Sequence, residues 1–135
     1  MRIAQVAPLY ESVPPAKYGG TERVVHWLTE ELVAMGHDVT LFASADSSSS
    51  ARLVPCCRSA LRPAGAEDDI TPHVLELERA VAPARGFDVI HFHTGTVHFP
   101  LARRTTTTSL TTMHGRLDEP CMIACLREFH DLALV

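Results

Sequence analysis

Short apolar runs of strand length alternate with longer stretches of helical period along this chain, and that alternation constrains the fold more than any other feature. Arg2-Ile3-Ala4-Gln5-Val6-Ala7 reads as a first strand, stopped by Pro8. After a proline-rich loop, Val24, Val25, Leu28, Leu32 and Met35 recur at helical spacing, which predicts a helix with one buried face. Thr21 stands where its hydroxyl would cap that helix, and Gly36 where a left-handed residue would end it. Asp38-Val39-Thr40-Leu41-Phe42-Ala43 is nearly continuous in apolar character, as a strand covered on both faces should be. Ser44 to Ala66 is irregular, a loop around the run Asp46-Ser47-Ser48-Ser49-Ser50 with room for a short strand at Arg52-Leu53-Val54. Thr71-Pro72 is expected to cap and open a second helix through Val74, Leu75, Leu77 and Val81. Phe87 to His93 is a third clear strand, and Val97 to Arg104 a short helix. Thr105 to Met113, β-branched for much of its length, reads as a fourth strand. Pro120 to Phe129 reads as a last helix, and Leu132 to Val135 as the opening of a further strand.

Strand followed by helix, repeated, implies an α/β fold: a Rossmann-like parallel sheet with helices on both faces. In such sheets ligands sit beyond the carboxyl ends of the strands, where the strand order switches. That rule gathers three scattered segments into one crevice: Gly19-Gly20, His93-Thr94-Gly95 and His114-Gly115-Arg116. The paired glycine lets backbone approach a ligand closely, and the helix after it presents free N–H groups and a positive dipole end that favour an anion. The plainer reading of the same pair is a tight turn into the helix.

Composition narrows the function classes. The 135 residues make one domain, with 46% hydrophobic and 21% charged residues, as in an ordinary globular protein. A formal charge of −4 argues against a nucleic-acid surface. No apolar run approaches the roughly 20 residues that span a bilayer, and Met1 to Ala7 lacks the core of a signal peptide, so a cytoplasmic protein is expected. Cys56, Cys57, Cys121 and Cys125 fit that compartment as free thiols, because their spacing matches no zinc knuckle. His91 and His93 share one strand face, and with His98 or His114 they would make a three-histidine metal site; no carboxylate has the spacing of a metallohydrolase, and no metal is expected. His26, His37, His73 and His130 are read as surface residues. The chain contains no P-loop, no G-x-G-x-x-G and no Ser-His-Asp order, so NTPase, dinucleotide and acyl-transfer chemistry have no support.

With Met1 to Pro8, Tyr18-Gly19-Gly20-Thr21-Glu22-Arg23-Val24-Val25, Leu32 to Ala43, Phe87 to His93 and Thr111-Thr112-Met113-His114-Gly115 in this order and spacing, the chain resembles the amino-terminal domain of a family 4 glycosyltransferase of the GT-B architecture. The resemblance implies two facing Rossmann-type domains with the active site between them, of which residues 1–135 are the acceptor-side one. It implies a retaining enzyme that moves a hexosyl group from a nucleoside-diphosphate sugar to an acceptor hydroxyl, with no metal or other cofactor. The carboxyl-terminal domain, with its paired-glutamate motif, is missing here, so the isolated chain is expected to be inactive or nearly so. The one departure is Thr105-Thr106-Thr107-Thr108, unusually polar for a central strand.

The resemblance assigns roles to Gly19, Gly20 and His114, and position at the crevice suggests those of the remaining candidates. His114 becomes the catalytic candidate, orienting the donor sugar rather than acting as a nucleophile. Gly19 and Gly20 would meet the donor diphosphate, and His93 with Thr94 the acceptor. Gly115 and Arg116 follow His114, where they would reach acceptor or phosphate, although a salt-bridged loop accounts equally for Arg116 and Asp118. Glu11 and Lys17 would line the acceptor pocket or simply be solvated loop charges. The alternative function is a truncated, non-catalytic homologue that binds a ligand or self-associates through an open sheet edge at Leu132 to Val135.

Overall fold

A computed structural model describes residues 1–135, the side chain of residue 84 excepted. Five parallel strands, β1 (Arg2–Val6), β2 (Asp38–Ser44), β3 (Arg52–Cys57), β4 (Val89–Phe92) and β5 (Thr108–Thr111), form one sheet in the order β3-β2-β1-β4-β5. Helices α1 (Gly20–Ala34), α2 (Ile70–Val81), α3 (Phe99–Ala102) and α4 (Pro120–Glu128) connect or follow them. Beyond α4, Leu134 bridges Thr111 in parallel, extending the order by one position. The arrangement is the expected Rossmann-like one. Its order reverses between β1 and β4, whose register pairs Gln5 with His91 and Val6 with Phe92.

Alternation along β1 divides the core. Ile3 and Ala7 join Val25, Val39 and Leu41 in one buried cluster, and Ala4 and Val6 join Phe42, Leu77, Ile90 and Phe92 in the other. Phe42, Phe92 and Phe99 are wholly buried, each worth roughly 1.5–3 kcal/mol of transfer free energy before entropy is counted. Gln5 falls on the first of these faces, with His91 beside it in register, and is likewise fully buried.

Several local expectations change. The cap of α1 is Gly19, with φ of 135°, and Thr21 lies inside the helix where its hydroxyl caps nothing. The cap of α2 comes from Asp68, whose Oδ1 accepts from the N–H groups of Ile70 and Thr71 at 3.0 Å each. Thr71-Pro72 therefore sits within the first turn, where a missing N–H costs nothing. The irregular segment holds a full strand, β3, running to Cys57. The serine run is tied down: Glu30 accepts from Ser49 Oγ, Ser50 Oγ and Ser50 N–H at 2.6, 2.6 and 3.0 Å. Only Thr108 to Thr111 of the threonine-rich stretch pair as a strand.

His73 is not a surface residue. It is buried, its Nε2 accepting from Leu9 N–H at 3.1 Å and its Nδ1 donating to the Asp69 carbonyl at 2.5 Å. The reason is helical phase. The buried stripe of α2 is His73, Glu76, Leu77 and Ala80, whereas Val74 and Leu75 point to solvent at 53% and 50% exposure. In α1 the buried members are Glu22, Val25 and Thr29, and Val24 and Met35 are exposed. Among the described residues no helix is long and apolar enough to cross a membrane.

Candidate functional site

The carboxyl ends of β1, β4 and β5 open onto one cleft of about 700 Å³, large enough for a small organic ligand. Gly19, Gly20, His93, Thr94, His114 and Gly115 all line it. Three segments far apart in sequence thus converge at the switch in strand order, as the topology requires. Arg116, Glu11 and Lys17 stand outside this lining. Arg116 is exposed and paired with Asp118 at 2.8 and 2.9 Å and with Glu119 at 3.4 Å. Lys17 projects into solvent. Glu11 is neither solvated nor in the cleft: it is buried and receives Arg62 Nη1 at 2.7 Å.

The two glycines differ in kind. At Gly19 a Cβ would lie 2.7 Å from Pro15 Cβ and 3.0 Å from Glu22 Oε2, in a backbone region side chains rarely adopt, so the fold itself demands glycine there. At Gly20 a Cβ would meet nothing within 4 Å, and φ is not positive. Neither a positive φ nor a close neighbour demands the second glycine, which borders the open cleft. The first turn of α1 already holds a carboxyl, since Glu22 is buried there. Burial, and then the charge of Glu11, push its pKa up.

A file of histidines runs from the sheet interior to the cleft. His93, on the turn after β4, is almost wholly buried; its Nε2 lies 2.9 Å from Gln5 Oε1 and its Nδ1 2.9 Å from His114 Nε2. His91 packs its ring 4.1 Å from that of His93 and bonds Thr112 Oγ1 at 2.7 Å. His98 turns into the core, bonded to Thr94 Oγ1 at 3.0 Å and Thr111 Oγ1 at 2.7 Å and stacked on Phe92. Burial depresses all four basicities: His93 to about 2, His98 to about 3, His91 to about 4, and His114 downward as well. They are neutral at physiological pH. Among the described residues no three His, Cys, Asp or Glu side chains are arranged as metal ligands.

Arg62 had no signal in the sequence, since it falls in the irregular segment. It lines the cleft with its guanidinium 5.6 Å from the Tyr10 ring and 5.2 Å from the Tyr18 ring, while Glu11 holds it from below. The Tyr10 hydroxyl donates to Asp69 at 3.1 Å, fixing the stack from its other side. These residues give the cleft a cation and aromatic faces in addition to its histidines.

The family model Glycosyltransferase Family 4 matches residues 18–133, nearly the whole chain. The chain belongs to glycosyltransferase family 4. This family 4 chain is similar in structure to AviGT4, a glycosyltransferase involved in avilamycin A biosynthesis, with a TM-score of 0.60 and 28% identity over 85% of this chain and 32% of that one. It shares its fold with the sucrose-phosphate synthase of Thermosynechococcus elongatus, at a TM-score of 0.64 and 17% identity over 98% of this chain and 41% of that one. The family 4 chain therefore spans about a third to two-fifths of the length of these glycosyltransferases. No curated protein matches it significantly.

Proposed function

We propose that this chain supplies the acceptor-side wall of the active-site cleft in a retaining glycosyltransferase. The reaction moves a hexosyl group from a nucleoside-diphosphate sugar to a hydroxyl of a small acceptor or glycan. The observation that carries the reading is the convergence of Gly19-Gly20, His93 and His114 on one cleft at the switch point of a family 4 fold. Glycosyl transfer passes through an oxocarbenium-like state with negative charge building on the departing group. The cleft answers part of that need. Backbone at Gly19 and Gly20 gives the diphosphate close access to the start of α1. The neutral imidazole of His114 orients the sugar, and His93 with Thr94 completes the wall beside the acceptor. Gly115 leaves room next to His114 for that acceptor.

In this scheme a second α/β domain binds most of the nucleotide and contributes the cations that balance the diphosphate, without a metal. The two domains close on each other to exclude water. The reading assigns the protein to the cytoplasm, where its four free cysteines stay reduced. The test is nucleoside diphosphate release from a panel of sugar nucleotides, measured for this chain alone and for the chain joined to a family 4 donor-binding domain. Turnover that needs the second domain and disappears in His114→Ala supports the proposal. Vigorous turnover by the isolated chain, or none in the joined protein, overturns it.

A further inference from the structure

Gln5 lies mid-strand in β1, fully buried, and touches nothing in the cleft. Its amide oxygen is nevertheless the inner end of the chain Gln5 Oε1–His93–His114. A carbonyl oxygen only accepts, so His93 Nε2 carries a hydrogen and donates to it. His93 is a neutral imidazole, hence its Nδ1 is bare and accepts from His114 Nε2–H. His114, neutral too, is left with a bare Nδ1, which no protein atom among the described residues engages, on a ring that borders the cleft.

The opposite polarity is sterically just as available. Turning the Gln5 amide would make it donate to His93, and every bond outward would reverse, leaving His114 with an N–H at its outer nitrogen. Satisfaction of hydrogen bonds alone would favour that arrangement. As it stands, Gln5 Nε2 is buried without a partner, and orphaned N–H groups are rarer in proteins than under-satisfied carbonyls. With the amide oxygen turned toward His93, the outer end of the chain shows the cleft a hydrogen-bond acceptor.

We infer that Gln5 is a positioning residue for the cleft: acting through His93, it fixes the tautomer of His114 so that a ligand hydroxyl finds a bare ring nitrogen to donate to. The ligand half of this inference rests on the proposed function, and the relay does not. A hydroxyl-bearing sugar or acceptor suits this nitrogen, whereas the diphosphate diester of a sugar nucleotide, fully ionised and with no hydrogen to give, is turned away from it. The sheet thus sorts donor hydroxyls from phosphate oxygens at His114 and leaves the latter to the Gly19-Gly20 side.

The experiment is long-range proton–nitrogen NMR on the uniformly nitrogen-15-labelled 135-residue chain, without ligand, with the His93 and His114 signals assigned by their loss in His93→Gln and His114→Gln. Both residues are expected as neutral Nε2–H tautomers. In Gln5→Met the acceptor is gone, so a buried bare nitrogen replaces a buried N–H at His93, and the hydrogens of both His93 and His114 move to Nδ1. In Gln5→Glu the oxygen is restored and the wild-type pattern returns. A wild-type His114 carrying its hydrogen on Nδ1 overturns the inference, and so does a folded Gln5→Met whose His114 keeps the wild-type tautomer. If Gln5→Met fails to fold, the relay is broken at its middle instead: in His93→Phe the acceptor for His114 Nε2–H is gone and its hydrogen is expected on Nδ1, and a folded His93→Phe that keeps the wild-type His114 tautomer overturns the inference. Because no ligand and no second domain enter the measurement, its failure is separate from any failure of the transfer assay.

Discussion

His98 sets its Nε2 2.7 Å from Thr111 Oγ1, a bond between the turn after β4 and the end of β5 that lies wholly inside the protein. With Thr94 Oγ1 at 3.0 Å on the other ring nitrogen, the imidazole is satisfied at both ends, which accounts for a polar ring in a core otherwise built from Phe92 and Phe99. Thr111→Val removes one partner at constant shape and strands Nε2. The expected loss is about 1–3 kcal/mol, read as a lower denaturation midpoint with unchanged dependence on denaturant. A midpoint equal to that of the native chain would mean the bond does nothing.

Acid should weaken the fold well before the ordinary carboxylates titrate. His93 and His98 bind protons near 6.5 when unfolded but only near 2 and 3 in the fold. The unfolded chain therefore holds more protons between those limits, and stability falls as pH drops below about 6.5. Each of the two should cost roughly 2 kcal/mol by pH ~5. Chemical denaturation across that range checks this, and a flat profile would contradict it.

Glu76 pulls in the other direction. It is fully buried in α2 with both carboxyl oxygens unpartnered, and burial raises its pKa well above the usual value. The neighbouring Cys56 thiol directs its hydrogen to the Val54 carbonyl at 3.4 Å. The folded chain retains this proton above the pH where the unfolded chain releases it, so stability falls as pH rises through that window. Glu76→Gln removes the term. The variant should be more stable at pH ~7, by about 1–3 kcal/mol, and should lose stability more steeply on acidification, because the histidines act unopposed.

The two cleft glycines should separate fold from ligand. Gly19→Ala forces a side chain into a left-handed backbone and onto Pro15, at a cost of about 1–3 kcal/mol. Gly20→Ala fills open space and should be neutral or slightly stabilising, by ~0.4–1 kcal/mol. In the joined two-domain protein, Gly20→Ala should instead raise KM for the sugar nucleotide several-fold. Equal thermal stability for both alanine variants would contradict this division.

How far the sequence is legible follows from particular elements. β1, β2 and β4 are apolar enough to be read directly, and Gly36, with φ of 85°, ends α1 as its type suggests. β3 is only partly legible because Arg52 and Pro55 interrupt its pattern on an edge strand, where a missing N–H is tolerated. The phases of α1 and α2 are not legible because Glu22, Thr29, His73 and Glu76 occupy buried positions that apolar periodicity counts as exposed. In the site, the glycines and strand-end histidines are visible because topology alone brings them to the switch point. Gln5 left a faint trace, a polar residue in an apolar strand. Arg62 left none, since only the three-dimensional path of an irregular segment carries it to the tyrosines.

A Cβ built at Gly115 meets no atom within 4 Å, although the residue borders the cleft beside His114. That vacancy makes the molecule convertible into an optical sensor. A cysteine placed at Gly115 would hold a fluorophore against the cleft wall, where an arriving ligand changes its surroundings. Cys56 would stay silent, buried and with its thiol pushed up to about 12, once Cys121 and Cys125 on α4 are exchanged for serine. Cys57, also shifted upward by burial, would react slowly enough for the new thiol to be labelled first. Screening sugar nucleotides and acceptors then becomes a matter of watching emission, with no catalysis required.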